Sequence, residues 1–542
     1  MSNTYSRLWA PIALCATGAL ALSACVSTNS STGVSDSNGD SAKAITVGTT
    51  DKITSLDPAG AYDNGSFAVA INVYPYLLGI KPGGNELEPD VAESYEFSDA
   101  NTLRVKLKSG LKYPNGHDLT ASDVKFSFDR MTAINDPDGP SSLLANLKET
   151  VVVDDTTVDF KLAIPNDQTF PQILTTPAAP ILDEEVFSPT ELTDDQDIVK
   201  GKGFGGPYVL TSYKVNELLT YQAYADYQGL HKPQNTDVKV QYLADETNMK
   251  QKLENGEIDL AFHSLSPTAV AALSQNSKLT VHEGPGGELR YLVFNTDTMP
   301  YGKKTANADD AKALAVRQAM ASVIDRAAIS KTIFKGNYAP AYSMVPDSMP
   351  GAATPFKQYG DGNGGPSVEK ATALLKDAGV ETPVALQIQY SPDHYGNSST
   401  DEYSMIKEQL ESSHLFTVEL QSTAWTTYNK ERISSYPIYQ LGWFPDFSDA
   451  DNYLSPFFLP TNFVQSWNSG LPEALSAAVA AQTAQSDHEK RMALLATAQE
   501  EVAKTVLALP MQSGKQIAVS QKDLQGVVLD ASFKLYYSTL NK

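Results

Sequence analysis

Residues 87–131 read LEPDVAESYEFSDANTLRVKLKSGLKYPNGHDLTASDVKFSFDRM. Within them Leu103, Val105 and Leu107 alternate with Arg104, Lys106 and Lys108, the period of two expected of a strand with one wet face. Thr120 followed three residues later by Asp123 predicts a capping-box helix start, and Val124, Phe128 and Met131 then fall on one helical face. Strand and helix thus succeed one another within one short stretch.

The same mixture extends outward. VVVDDTTVDFKLA (151–163) predicts two short strands turning at Asp154-Asp155, with Val158, Phe160 and Leu162 on one face of the second. Between Asp310 and Ile329, Val316, Ala319, Met320, Val323 and Ile324 keep the spacing of an amphipathic helix. No short internal repeat is visible. The fold class is α/β or α+β in several lobes, and 542 residues with 42% hydrophobic content suffice for about three domains.

Gly201-Lys202-Gly203-Phe204-Gly205-Gly206 formally matches G-x-G-x-x-G. Dinucleotide sites place those glycines after a strand and at the start of a helix. Here Pro207 and YVLTSYKVNELLTYQAYADY follow, which alternates like a hairpin, so a glycine-rich turn leading into a strand is expected.

At the other end, Leu8 to Leu22 is apolar or small throughout, follows Arg7, and is shorter than the roughly 20 residues that span a bilayer. It predicts an export signal, residues 1–24. Leu22-Ser23-Ala24-Cys25 resembles a bacterial lipobox, which implies cleavage before Cys25 and acylation of its sulfur; an ordinary secretory signal with an incidental Cys is the alternative. Only Cys15 and Cys25 are present, so such cleavage leaves no thiol for a disulfide, a thiolate metal site or a nucleophile. Residues 25–44, rich in Ser, Thr, Asn and Gly, then form a flexible tether. No later run is long and apolar enough to cross a membrane, so attachment would be through the lipid alone.

The formal charge is −23, and without residues 1–24 it is 40 basic against 64 acidic residues. That sign argues against nucleic acid and electrostatic docking on anionic lipid as partners, and solubility alone is enough to account for it. Catalytic signatures are missing: no H-E-x-x-H, no G-x-S-x-G elbow, no P-loop, and seven histidines without metal-ligand spacing. No cofactor or metal is expected. Asp449 and Asp451 could be imagined as glycosidase carboxylates, and His394 as a base, but chance pairs of acids are expected in so acidic a chain.

ITVGTTDKITSLDPAGAYDNGSFAVAINVYPYLLGI (45–80) and the stretch 87–131 together resemble the opening of extracellular solute-binding protein family 5, the peptide- and nickel-binding receptors of ABC importers. The resemblance continues through GPYVLTSY, DYQG, LENGEIDLAF, YLVFNTD with VRQAMASVIDRAAI, LGWFPDFSDADNYLSPFF and the closing HEKRMALLATAQEEVAKTVLALPMQSGKQIAVS. It implies a two-lobed, type II periplasmic-binding-protein-like fold with a hinge and an extra third domain. The implied boundaries are 45–80, 205–287 and 511–542 for the first lobe, 81–204 for the extra domain and 288–510 for the other lobe, with hinges near Gly287 and Pro510. It also implies a monomeric, non-enzymatic receptor that closes on its ligand and delivers it to a permease driven by separate ATPase subunits.

In peptide-binding members an Asp in G-W-x-x-D takes the ligand's α-amino group; here that motif is Gly442-Trp443-Phe444-Pro445-Asp446. Asp446 is therefore the expected ammonium partner, a plain turn cap being its alternative. Trp443, Trp425 and Trp467 are candidates for the cleft wall, and Arg290 for the ligand carboxylate; core packing and a salt bridge are the bland counterparts. Asn295 is expected to make structural hydrogen bonds. Oligosaccharide binding through the tryptophans, nickel-chelate binding, a sensory role and, from another class, a lipid-anchored hydrolase remain open.

Overall fold

The computed structural model describes residues 44–542 except Ser264, Asn397 and Phe533. The expected signal, Cys25 and nearly all of the tether lie outside the described residues. Strands Thr102–Leu107, Leu147–Asp154 and Thr157–Leu162 form where the alternation places them, in a four-stranded antiparallel sheet with Ala92–Asp99. Thr120 and Asp123 exchange both capping-box bonds at the head of helix Ala121–Ile134. The glycine run follows helix Asp195–Gly201 and precedes strand Tyr208–Lys214, the reverse of a dinucleotide site.

One expectation needs correction. The periodicity over Asp310–Ile329 spans two helices, Asp310–Val323 and Arg326–Thr332. Ile324 turns extended, and the Asp325 carboxylate accepts from the Ala328 N–H at 2.9 Å to start the second. An N-cap of this kind redirects the chain while the apolar positions stay on the core side.

The large sheet positions everything else. Its ladder runs Phe416–Ser422, Val384–Tyr390, Ile438–Trp443, Leu279–Phe294, Ala508–Gln521, Leu260–Phe262, Ile45–Thr49, Asp237–Tyr242, Leu218–Ala223 and Tyr208–Lys214. The two long central strands join its halves. Residues 279–284 pair with 516–521 beside Leu260–Phe262, whereas residues 288–293 pair with 508–514 beside Ile438–Trp443. The register breaks between Gly284 and Glu288, where Pro285 has no N–H to give the ladder. Gly286 is required there, since a Cβ would overlap the Gly514 carbonyl oxygen. A second register break falls between Arg290 and Tyr291, opposite Gln512 and Pro510.

Two large cores flank this break. One gathers Leu289 to Met511 around Tyr291, Met320, Tyr439, Phe457 and Trp467. The other runs from Ile45 through the four-stranded sheet to Leu540, so residues 81–204 share one continuous apolar core with the strands around Ile45–Thr49. Arg130 and Asp57 tie these parts with a buried bidentate pair, Nη1 to Oδ1 at 2.8 Å and Nη2 to Oδ2 at 2.5 Å.

Candidate functional site

Open α/β sheets hold ligands outside the carboxyl ends of their parallel strands. Ile45–Thr49 is parallel to Asp237–Tyr242 and Leu260–Phe262, and Val384–Tyr390 is parallel to Ile438–Trp443. A cavity of about 520 Å³ opens at those ends, within the size range of small-ligand sites. Asp51, Glu246 and His263 reach it from one half of the sheet, Asp393, His394 and Phe444 from the other, and Glu288 and Lys515–Ile517 from the central pair.

The wall is acidic: Asp51, Glu246, Glu288 and Asp393 stand against the single Lys515, which is itself paired with Glu283 at 2.8 Å. Burial works against the Asp51 charge, but His263 at 2.7 Å and the Thr49 hydroxyl hold its carboxyl below the usual range. Glu246 accepts from the Ser266 N–H at 2.6 Å, and Asp393 from the Ser391 hydroxyl and the Trp425 N–H. Glu288 is buried and accepts from Tyr338 at 2.6 Å; burial pushes its carboxyl up, with Arg290 and Tyr338 opposing.

Arg290 does not offer a free guanidinium. It is 1% exposed and donates to Glu402 Oε2 from Nε at 3.0 Å and Nη2 at 2.6 Å, to the Tyr395 carbonyl at 2.7 Å and to Ser399 Oγ at 2.9 Å. With Phe334, Tyr338 and Tyr395 rings also around it, it acts as a buried brace. The guanidinium expected to meet a ligand carboxylate is thus engaged within the protein. Trp467, expected at the cleft wall, is fully buried, stacks on Phe458 at 5.2 Å and donates to the Phe457 carbonyl.

Trp425 stands one layer behind the wall, its ring stacked at 3.7 Å on His394. Trp443 donates from Nε1 to Asn452 Oδ1 at 2.9 Å and packs on Phe457. Asn452 in turn accepts the Asp446 N–H and donates to Asp446 Oδ2 at 3.1 Å, while Tyr62 donates to Oδ1 at 2.6 Å. Asp446 is 9% exposed and lies just behind Phe444, off the cavity lining itself. Burial pushes its carboxyl up, and Tyr62, Asn452 and the nearby Lys534 ammonium counteract this. Asn295 binds the Ile433 carbonyl through Nδ2. The structure therefore brings Trp443 and Asp446 together, sets Trp425 beside a lining residue, and holds Arg290 and Trp467 in buried contacts within the protein.

Residues 86–465 match the family described as bacterial extracellular solute-binding proteins, family 5 Middle. The chain belongs to this family. The dipeptide-binding protein of Escherichia coli K12 is 25% identical over 498 residues, covering 88% of this chain and 90% of that one. The glutathione-binding protein GsiB of Salmonella typhi is 27% identical over 505 residues, covering 90% and 92%. HbpA2 from Haemophilus parasuis superposes with a TM-score of 0.77 at 23% identity, over 92% of this chain and 99% of its own. The fold is thus the type II periplasmic-binding-protein fold, mixed α/β with several sheets. In this family 5 protein Tyr62, which bonds Asp446, and Glu288, Gln516 and the Asp51–His263 pair, which line the cavity, are not singled out by the sequence. A usable signal existed for the last, since Asp51 and His263 directly follow strands whose carboxyl ends face a common cleft.

Proposed function

We propose that this family 5 protein is a lipid-anchored extracytoplasmic receptor of an ABC importer, which captures short peptides between two lobes and returns them unchanged to its permease. The observation that carries the proposal is the cavity at the strand ends, walled from both halves of the sheet and holding four carboxylates against one lysine. Such a wall favours a ligand carrying an ammonium group, because a cation desolvated in a closed cleft needs anionic acceptors. The names of the dipeptide- and glutathione-binding relatives point the same way. Cys25 would carry the acyl chain and residues 25–44 the tether, in a protein acting as a monomer beside membrane-embedded permease and ATPase partners.

In this proposal residues 45–80, 205–287 and 511–542 form the first lobe, 81–204 the extra domain and 288–510 the other lobe. The hinge candidates are the two breaks in the central ladder, Gly284–Glu288 opposite Gly514–Gln516 and Arg290–Tyr291 opposite Pro510–Gln512. Asp446 is the ammonium anchor: its carboxylate is held by Tyr62 from across the cleft, and an incoming ammonium replaces that phenol. A second assignment is favoured by one observation, that Glu288 and not Asp446 lines the cavity; in it Glu288 receives the ammonium.

The test is thermal unfolding of Ala44–Lys542, which contains every ladder and core described above, with di- to pentapeptides, their N-acetylated forms and oligosaccharides. Ligand at a hundred times its dissociation constant stabilises by about 2.7 kcal/mol. Free peptides should raise the midpoint and acetylated ones should not. A shift with sugars alone would replace the peptide assignment by a carbohydrate one.

A further inference from the structure

Among the described residues, side-chain amides whose polar atoms are both shielded from solvent are, with one exception, bonded at one or both ends. Gln440 donates to Ser399 Oγ and accepts from the Ser391 N–H; Gln499 donates to the Gly351 and Leu495 carbonyls and accepts from Ser343 and Ala353. Gln516 is different. It is 1% exposed, yet neither Nε2 nor Oε1 has a hydrogen-bond partner, a state shared by no other side-chain amide among the described residues. A buried polar group left unpaired costs roughly 1–3 kcal/mol, and in a native structure strain, a functional role or an ordered water accounts for it.

Gln516 sits on the central strand Ala508–Gln521, opposite Gly284 at the break in the ladder, and it lines the large cavity. Its free carboxamide offers one donor and one acceptor side by side. In an extended peptide the N–H and C=O of one residue also point to the same side, which is how facing residues in an antiparallel ladder exchange two bonds. A primary amide reproduces that half of a ladder pair with a side chain.

We infer that Gln516 reads one residue of an extended peptide ligand, its Oε1 accepting that residue's N–H and its Nε2 donating to the same residue's C=O. This deepens the proposal of a peptide receptor and rests on it. The contact demands a backbone amide and ignores the ligand's side chain, so it selects for peptides as a class, not for one sequence. It also places the reader on the strand that both halves of the sheet share, where ligand contact and lobe movement meet.

The experiment is calorimetric titration of trialanine, and of trialanine N-methylated at each peptide nitrogen in turn, into the full chain in mild detergent, for the wild type and for Gln516→Leu. Wild type should bind trialanine, Gln516→Leu should bind it about 10- to 100-fold more weakly, and its ligand-free unfolding midpoint should be unchanged or higher, since an unpaired buried amide is gone. One N-methylated position should cost the wild type at least about tenfold and cost Gln516→Leu little, the coupling of a double-mutant cycle. Equal affinity of the two proteins for trialanine would overturn the inference while leaving the receptor proposal intact, and would assign the Gln516 amide to ordered water. Gln516→Ala serves as a second variant should the leucine form not fold, and the N-methyl series on wild type alone still decides: no sensitive position overturns the inference. Failure of wild type to bind any peptide overturns the peptide proposal itself, and this inference with it.

Discussion

The Tyr62 hydroxyl donates to Asp446 Oδ1 at 2.6 Å, joining residues 384 apart in sequence. Tyr62 keeps 41% of its surface exposed, while its hydroxyl end is buried against Asp446, and burial and that carboxylate push the phenol well up. If Asp446 anchors an ammonium group, Asp446→Asn should weaken peptide binding by about 1.5–3 kcal/mol, the range for hydrogen bonds to charged groups. Tyr62→Phe should tighten it modestly by removing the competitor. Calorimetric titration checks both, and an unaffected Asp446→Asn beside a weakened Glu288→Gln moves the anchor to Glu288.

The upward shift of the Asp446 carboxyl by burial also sets a pH dependence. If Asp446 is the anchor, the ammonium needs the carboxylate form, so affinity should fall on acidification at a higher pH than an ordinary aspartate would dictate, and Asp446→Asn should lose that fall. Dissociation constants measured from pH 4 to 8 for both proteins give the comparison.

Arg290 and Glu402 are each 1% exposed. Removing one partner of such a pair strands a buried charge and costs about 3–5 kcal/mol, whereas replacing both by apolar or neutral groups costs far less. Urea unfolding should therefore show Arg290→Met strongly destabilised and Arg290→Met with Glu402→Gln largely restored. The same logic applies to Asp57 and Arg130: Arg130→Met should lose about 3–5 kcal/mol, read in the same assay.

Asp451 is buried and its carboxyl is pushed up to about 7 by that burial, the Ser455 hydroxyl opposing and Asp449 adding to the rise. The unfolded side chain titrates near 3.9 (approximate). Between those values the folded protein holds a proton that the unfolded chain lacks, so stability falls as pH rises from about 4 to about 7, by on the order of 4 kcal/mol. Asp451→Asn should flatten that slope and be the more stable protein at pH 8. Unfolding free energies at pH 5 and pH 8 test it.

What the sequence disclosed follows from which forces are local. The capping box at Thr120, the alternation in Thr102–Leu107 and the hairpin at Asp154-Asp155 depend on neighbours within a few residues, and each formed where expected. Asp325 shows the limit: apolar spacing persisted through it while its side chain ended one helix and began another. The site was less legible. Arg290 was near the strand crossing as expected, but its saturation by Glu402 and the Tyr395 carbonyl arises from residues more than a hundred positions away, which periodicity does not carry. Trp467 likewise has the composition of a cleft residue and the environment of a core one. Gln516 could not be singled out at all, because what marks it is the lack of partners in three dimensions.

The core around Ile45–Thr49 includes Ala518, Leu524, Leu529, Leu535, Tyr536, Tyr537 and Leu540, and the strand before it in the ladder, Leu260–Phe262, leans on 518–520. The earliest part of the folded body thus stays unfinished until the last few dozen residues have been made. A chain delivered amino-terminus first would keep its amino-terminal half open until those residues followed, and their arrival, not the appearance of that half, would start its final folding. Truncation by even the last thirty residues should accordingly leave the amino-terminal half, and not the missing end alone, sensitive to protease.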